Sequence, residues 1–456
     1  MNGLLKGALA VGGGAAGAVI LKRNLFPGAR RRYEAWERSP YKDFPNKVLV
    51  VGGGFAGYNA VARLCRLARG RDDVGVMLIS RDNYFTFWPM LASVIGGDVE
   101  TKNVAQPLRR TLIRLGASFR RADLEDVDTE RQVVMAAGRE FPYDHLVLSL
   151  GAQPAYFGIP GVEDHAISIK GIGAGEEITD RVIERYEETT LAGGDVPESK
   201  LTFVVIGGGA TGVEVAAELH NLLRELLVPD YPNIRPDHPQ IILIDANKEV
   251  LKELDPALRR VAQKRLHDLR IKVINNAKAK EIKSDRVILT DGREIASENV
   301  IWTAGARASE KLDDLPFPHD ERRGVAVDRF MRVEGYENVW AVGDCAANVD
   351  ENGVPVPPNA QAAVQEGETV AENILAAIDG EEPRPFRYQS LGQLVELGSE
   401  FAVNEVMGVK FSGQLAALFW RMTYLYKLES PQSRARIAAD WLLDVFYEPT
   451  VTQIRR

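Results

Sequence analysis

The pattern Gly-x-Gly-x-x-Gly occurs three times in this chain, as VGGGAAG at 11–17, VGGGFAG at 51–57 and IGGGATG at 206–212. It constrains the fold only where an apolar strand runs into it, an amphipathic helix leaves it and a second strand follows. The glycines then make a strand-to-helix turn whose free N–H groups face an anion. The copy at 51–57 has that context: KVLVV precedes it, FAGYNAVARLCRLAR repeats apolar residues at helical spacing, and VGVMLIS at 74–80 supplies the next strand. The copy at 206–212 follows LTFVVI, opens ATGVEVAAELHNLL and reaches IILID at 241–245 across the Pro-rich insertion VPDYPNIRPDHPQ. The copy at 11–17 has only MNGLLKGALA before it and no strand after it.

Two complete units predict an α/β fold with two Rossmann-like dinucleotide-binding domains. In the first, Gly52 permits the tight turn, Gly54 lets backbone approach a phosphate, and Gly57 lets helix and strand pack closely; Gly207, Gly209 and Gly212 repeat the set. Asp245, at the end of the strand after the second unit, can accept both hydrogen bonds of a ribose diol and would repel a 2′-phosphate, which favours NADH over NADPH. At the matching place in the first unit stand Ser80 and Arg81, a departure from the simple fingerprint, although a serine still hydrogen-bonds a ribose hydroxyl.

Residues 7–21 are uncharged, small or apolar, between Lys6 and Lys22–Arg23. They fall short of the roughly 20 residues that span a bilayer, so they read as a membrane-proximal anchor, an organelle-targeting presequence or a plain tail. The chain of 456 residues has a net charge of −8, which argues against a general nucleic-acid binder. Its ends are nevertheless basic: residues 1–46 carry eight Lys or Arg against three acids, and residues 411–456 six against four. Basic ends with apolar runs suit an anionic membrane surface, and they also suit solubility alone. Two cysteines, Cys65 and Cys345, far apart, and six scattered histidines give neither a redox pair nor metal-ligand spacing, so no metal is predicted.

The two motifs, followed by WAVGDCA at 340–346, resemble the two-dinucleotide flavoprotein superfamily, in which an NAD(P)H domain interrupts an FAD domain. Within it the chain is most similar to the type II NADH dehydrogenases, single-subunit NADH:quinone oxidoreductases. The segments that carry this are RDNYFTFWPMLASVIGG at 81–97, FGIPG at 157–161, NVIWTAGARAS at 299–309 and above all AQAAVQ within 359–367. The last fits the family's AQxAxQ quinone motif, and its spacing of four puts both amides on one helix face, where they can bond quinone carbonyls without adding charge.

The resemblance implies FAD at Gly52, Gly54, Phe55, Ala56, Gly57, Ser80, Arg81, Gly151, Gly343, Asp344, Ala360 and Gln361, with Asp344 near the ribitol and phosphate. It implies NADH at Gly207, Gly209, Gly212, Glu214, Asp245, Ala304 and Gly305, and catalytic roles for Glu214, Gln361 and Gln365. The expected organisation is a tail or anchor at 1–46, an FAD-binding domain at 47–160 and 306–388, an NADH-binding domain at 161–305, and a C-terminal membrane and dimer region at 389–456. There Leu415, Leu418, Phe419, Met422 and Tyr426 recur at helical spacing, as do Trp441, Leu442, Val445 and Phe446 on a second helix, with Arg434 and Arg436 placed for headgroups. The implied protein is a peripheral, homodimeric, non-pumping enzyme on the cytoplasmic face of a bacterial inner membrane, the mitochondrial inner membrane being the alternative. Competing readings are a ferredoxin-reductase-like flavoenzyme and a redox-sensing flavoprotein of the apoptosis-inducing-factor kind.

Overall fold

The computed structural model describes residues 41–453 apart from 194, 195, 322, 399, 448 and 450, so VGGGAAG at 11–17 and the anchor expected at 7–21 lie outside the described residues. Residues from Phe44 onward form one compact unit; of the other, Met1–Asp43, only the turn Tyr41–Asp43 is described.

Strand β1 (Asn46–Val51), helix α1 (Phe55–Leu67) and strand β2 (Val74–Ser80) form around the glycines at 51–57, and β3 (Ser118–Arg121) and β4 (His145–Leu148) extend the sheet in parallel. β2 is buried at all of its positions and β1 over Val48–Val51, as parallel strands covered on both faces must be. A second sheet follows, from β5 (Ala166–Ser168), α2 (Ala174–Leu191), β6 (Thr202–Ile206), α3 (Ala210–His220), β7 (Gln240–Ile244), β8 (Ile271–Ile274) and β9 (Asn299–Trp302). Its order is β5-β9-β6-β7-β8, all parallel. The chain then adds β10 (Val339–Ala341) beside β4, so the first sheet, β10-β4-β1-β2-β3, is completed only after the second has been built.

The segments Ala152–Pro154 and Ala306–Ala308 pair antiparallel, so the chain leaves for the second sheet and returns from it side by side. Each half also carries a three-stranded antiparallel excursion between equivalent strands: Leu124–Pro142 between β3 and β4, and Ala279–Ala296 between β8 and β9. The two halves are thus the same unit used twice.

Helix α4 (Ala360–Asp379) lies against α1 at close range, because a Cβ at Gly367 would overlap the carbonyl oxygen of Ala56. The small residues bring the AQAAVQ turn of α4 up to the first glycine motif. The stretch LGQLVELGSEFAVNEV, which opens the region 389–456, belongs to an antiparallel meander of β11 (Gly392–Glu396), β12 (Ala402–Val406) and β13 (Val409–Gly413). Gly398 and Gly408, both at positive φ, break any helical run there. Helices α5 (Gln414–Lys427) and α6 (Pro431–Leu443) follow. Val445 and Phe446 lie beyond the end of α6 rather than on it as their spacing predicts. Among the described residues no helix is long and apolar enough to cross a membrane.

Candidate active site

The two glycine turns open at the carboxyl ends of their parallel strands, where ligands of such sheets bind. In the first, Gly52 has φ +107° and a Cβ there would overlap the carbonyl oxygen of Ser149; a Cβ at Gly57 would overlap the carbonyl of Gly52. The second repeats this: Gly207 has φ +118°, and a Cβ at Gly212 would overlap the carbonyl of Gly207. A hydroxyl at the end of a neighbouring strand clasps each turn. Ser149, after β4, donates to the carbonyls of Val51 or Gly52, each at 2.9 Å; Thr303, after β9, donates to those of Ile206 at 2.9 Å or Gly207 at 3.1 Å. Neither hydroxyl carries a sequence signal of its own, and only the paired topology exposes their common role.

A Cβ at Gly54 or at Gly209 would meet nothing within 4 Å. Both residues cap their helices without a side-chain hydrogen bond, so the first N–H groups of α1 and α3 are open to a ligand. Two such cradles, each with backbone N–H groups and a helix dipole directed outward, fit two diphosphates.

Both cradles line one continuous cavity of about 2080 Å³. Its wall includes Phe55, Ala56, Ser80, Arg81 and Gly151 on the first side and Glu214 and Asp245 on the second, and Gly343, Asp344, Ala360, Gln361 and Gln365 from the returning chain. Gly57 and Gly207 stand behind it, holding the turns. Ala304 and Gly305 are not in the wall; Thr303, just before them, is. Ser80 is buried with its hydroxyl against Gly53, whereas the Arg81 side chain is exposed and paired with Asp82 at 3.2 Å. Asp245 is buried, and one of its carboxylate oxygens accepts from the backbone and side-chain nitrogens of Asn247 at 2.5 and 2.7 Å, which fixes its orientation.

The GD pair of WAVGDCA forms a tight turn at Gly343–Cys345 held from α4, where the buried carboxyl of Glu366 accepts the Gly343 N–H. Burial pushes Glu366 up to about 7. Burial also raises the Asp344 carboxyl, opposed by the nearby Lys170 ammonium, which sits 5.8 Å from the Trp88 ring centroid. Glu366, Lys170 and Trp88 escape sequence reading because their partners are distant in the chain. Both cysteines are free, and burial pushes each thiol up to about 12, which removes them as nucleophiles near neutrality.

Glu214 projects from α3 just past its first turn, where its carboxyl accepts the backbone N–H of Glu396 at 3.3 Å. Burial, reinforced by the neighbouring Glu396 carboxyl, holds it well above the usual carboxylate range. Gln361 and Gln365 share one face of α4 as their spacing requires, and both grip the loop at 388–391. The Gln361 carbonyl accepts from Tyr388 Oη at 3.2 Å and Leu391 N at 2.9 Å; Gln365 accepts from Gln389 N at 3.0 Å and donates to its carbonyl at 2.9 Å. The pair therefore forms one wall of the cavity and also ties that wall to the start of the meander.

The chain belongs to the pyridine nucleotide-disulphide oxidoreductase family, whose model matches residues 46–367. It is 30% identical over 417 residues to the type II NADH:quinone oxidoreductase of Mycobacterium tuberculosis, covering 87% of each chain, and 29% identical over 412 residues to a probable NADH dehydrogenase of Dictyostelium discoideum, covering 88% of this chain and 90% of that one. Its fold matches that of NDH2 from Plasmodium falciparum, solved in complex with NADH, with a TM-score of 0.81 at 19% identity over 90% of this chain and all of that one. Within the family it is thus a type II NADH dehydrogenase.

Proposed function

We propose that the chain is a non-proton-pumping NADH:quinone oxidoreductase that works as a homodimer on a membrane surface, with one FAD and one NADH site. The observation that carries this is the single cavity, which joins two diphosphate cradles to a wall of neutral amides and apolar side chains.

FAD, when bound, supplies a two-electron carrier able to accept hydride and pass electrons to quinone. The Gly52–Gly57 turn and the N–H groups of α1 would hold its diphosphate, Ser80 and Arg81 its adenosine side, and Asp344, steadied by Glu366, its ribitol side. The Gly207–Gly212 turn would hold the NADH diphosphate, and Asp245, oriented by Asn247, would bond the ribose diol and exclude a 2′-phosphate. Glu214, its carboxyl pushed up by burial at the cavity wall, positions the nicotinamide end. Gln361 and Gln365 supply amide N–H groups toward a quinone and fix the loop that walls off water.

The C-terminal helices support the membrane reading. Leu415, Leu418, Met422 and Tyr426 of α5 are 57–78% exposed, and Leu442, Val445 and Phe446 are 64–73% exposed beside them. Such an apolar face, flanked by Arg434 and Arg436, suits a bilayer interface, and the basic ends of the chain favour an anionic, cytoplasmic leaflet.

The test is stopped-flow absorbance of the FAD-loaded protein in detergent. NADH should bleach the flavin and added quinone should restore it within the turnover time. Bleaching without quinone-driven recovery would favour a ferredoxin-type reductase. The Gln361→Leu and Gln365→Leu variants should slow recovery much more than bleaching.

A further inference from the structure

Between Thr101 and Ala122 the chain carries six Lys or Arg and no Asp or Glu, although over the whole chain acids outnumber bases by 64 to 56. Part of this run is explained where it stands. Lys102 pairs with Glu100 at 2.6 Å, and Arg120 and Arg121 lie on β3, an edge strand, where charge blocks pairing with another sheet. The guanidinium of Arg109 lies 4.9 Å from the Phe119 ring centroid. Arg110 and Arg114 remain. They belong to the helix Leu108–Leu115, whose Leu108 and Leu112 are buried, and by the same spacing of four they share its outer face, both exposed and in no ion pair with a described residue. This arrangement does not serve the helix itself: Arg109 and Arg110 sit in its first turn, against the dipole, and Arg110 and Arg114 repel one another. Solubility does not require it either, since the net charge is already −8.

The outer face leads directly to the C-terminal helices. Arg110 Nη1 donates to Gln432 Oε1 of α6 at 3.3 Å, and close by the Ser430 N–H donates to Gln106 Oε1 at 2.9 Å. Arg436 follows Gln432 by one helical turn and continues the same face, while Arg434 stands 5.7 Å from the Tyr426 ring centroid. The acids of α6 and of the loop before it are Asp440, half-buried one turn after Arg436, and Glu429, which turns inward to accept from Tyr58 Oη at 2.9 Å. Tyr426, Lys427 and Arg434 also line the cavity, so the basic face stands at its edge.

We propose that the face formed by Arg110, Arg114 and Arg436 rests on a bilayer surface rich in anionic lipid and holds the edge of the first sheet against the membrane beside the C-terminal helices, an inference that rests on the membrane reading above. Two observations favour this occupant over an acidic protein. The cations run without a break from the helix Leu108–Leu115 onto α6 through the Arg110–Gln432 contact, and they adjoin the exposed apolar side chains of α5 and α6, Tyr426 at 78% and Leu442 at 64% among them. A lipid interface satisfies both at once, with phosphates for the guanidiniums and acyl chains for the apolar side chains, whereas an acidic protein surface leaves the apolar ones uncovered. Contact through the arginine face as well as the helices fixes the tilt of the molecule, and so presents the cavity edge at Tyr426 and Arg434 to the lipid.

The experiment is co-sedimentation of the FAD-loaded, full-length protein with vesicles of phosphatidylcholine alone or mixed with about one-third phosphatidylglycerol, with flavin content as the check on folding. At low salt the double change Arg110→Gln and Arg114→Gln should weaken binding to the mixed vesicles about 25-fold, at about fivefold per cation removed, and leave both binding to phosphatidylcholine and NADH-driven bleaching as they were. At about 0.5 M salt, where surface charges are screened within a few ångström, the gap should close. The double change Arg110→Lys and Arg114→Lys should bind like the wild type. A glutamine pair that binds the mixed vesicles as tightly as the wild type, or a wild type that binds both kinds of vesicle equally, overturns the proposal. So does a lysine pair that fails as badly as the glutamine pair, because the loss then belongs to the Arg110–Gln432 contact and not to charge. Undiminished vesicle binding by a glutamine pair that is lost from native membranes overturns it as well and assigns the face to an acidic protein. A wild type that binds neither vesicle overturns the membrane reading itself, and this inference with it.

Discussion

Glu366 should make the stability of this enzyme depend on pH in a direction opposite to that of an ordinary surface carboxylate. Its carboxyl is 2% exposed, accepts the Gly343 N–H and sits beside Asp344. Burial first, and the Asp344 charge second, raise it from 4.5 to about 7 against the pull of that N–H. A carboxyl whose folded pKa lies above its unfolded value binds its proton more tightly in the fold. Its stabilisation is therefore complete below about 4.5 and is lost as pH rises through about 7. At about 1.36 kcal/mol per unit the full effect is about 3.4 kcal/mol, of which about 2.5 remains at pH 5 and almost none at pH 8. The variant Glu366→Gln keeps the shape and an acceptor for the Gly343 N–H but does not titrate. Urea midpoints of the FAD-loaded wild type and variant, measured from pH 5 to 8, should diverge: the wild type loses about 2.5 kcal/mol relative to the variant over that interval. Parallel curves, or a wild type that gains on the variant with rising pH, would refute the reasoning, because then Glu366 is ionised in the fold throughout.

The other predictions separate the parts of the site. Gly212→Ala should cost about 1–3 kcal/mol of folding stability through its overlap with the Gly207 carbonyl, whereas Gly209→Ala, with open space ahead of it, should melt like the wild type and raise the KM for NADH; equal melting losses would contradict the assignment of open and closed glycines. Asp245→Ala should raise the KM for NADH about tenfold, as expected for a lost hydrogen bond to a charged group, and narrow the preference over NADPH; unchanged cofactor selectivity in steady-state rates would remove Asp245 from ribose recognition. The triple change Leu415→Ser, Leu418→Ser and Met422→Ser removes three side chains that are more than half exposed, and at about 25 cal/mol per Å² it should weaken co-sedimentation with anionic vesicles at least tenfold while NADH still bleaches the flavin. Undiminished vesicle binding would assign that face to another partner.

What could be read in advance followed from interactions local in sequence. A strand, three glycines and a helix specify one turn, and a spacing of four puts Gln361 and Gln365 on one helix face whatever surrounds them. The α5 stripe was legible for the same reason, since Leu415, Leu418 and Met422 report helical period directly. The early end of α6 was missed, because nothing in the spacing of Val445 and Phe446 marks it.

The chemistry around those local elements was not legible, because it is made across the fold. Ser149 and Thr303 matter only since β4 and β9 lie beside the strands that carry the glycines. Glu366 holds Gly343 only because Gly367 lets α4 approach α1, a contact between residues some three hundred positions apart. Asp98, Glu396 and Arg421 meet from three separated segments, and each alone reads as a solvated charge. Their meaning comes from enclosure: a carboxyl in water is an ordinary acid, and burial among other carboxyls pushes the same group up. Glu214 therefore has two descriptions at different ranges. Locally it is an acid just past the first turn of α3; across the fold it is a buried carboxyl in the cavity wall, held by the Glu396 N–H, and only the second description places it beside a substrate.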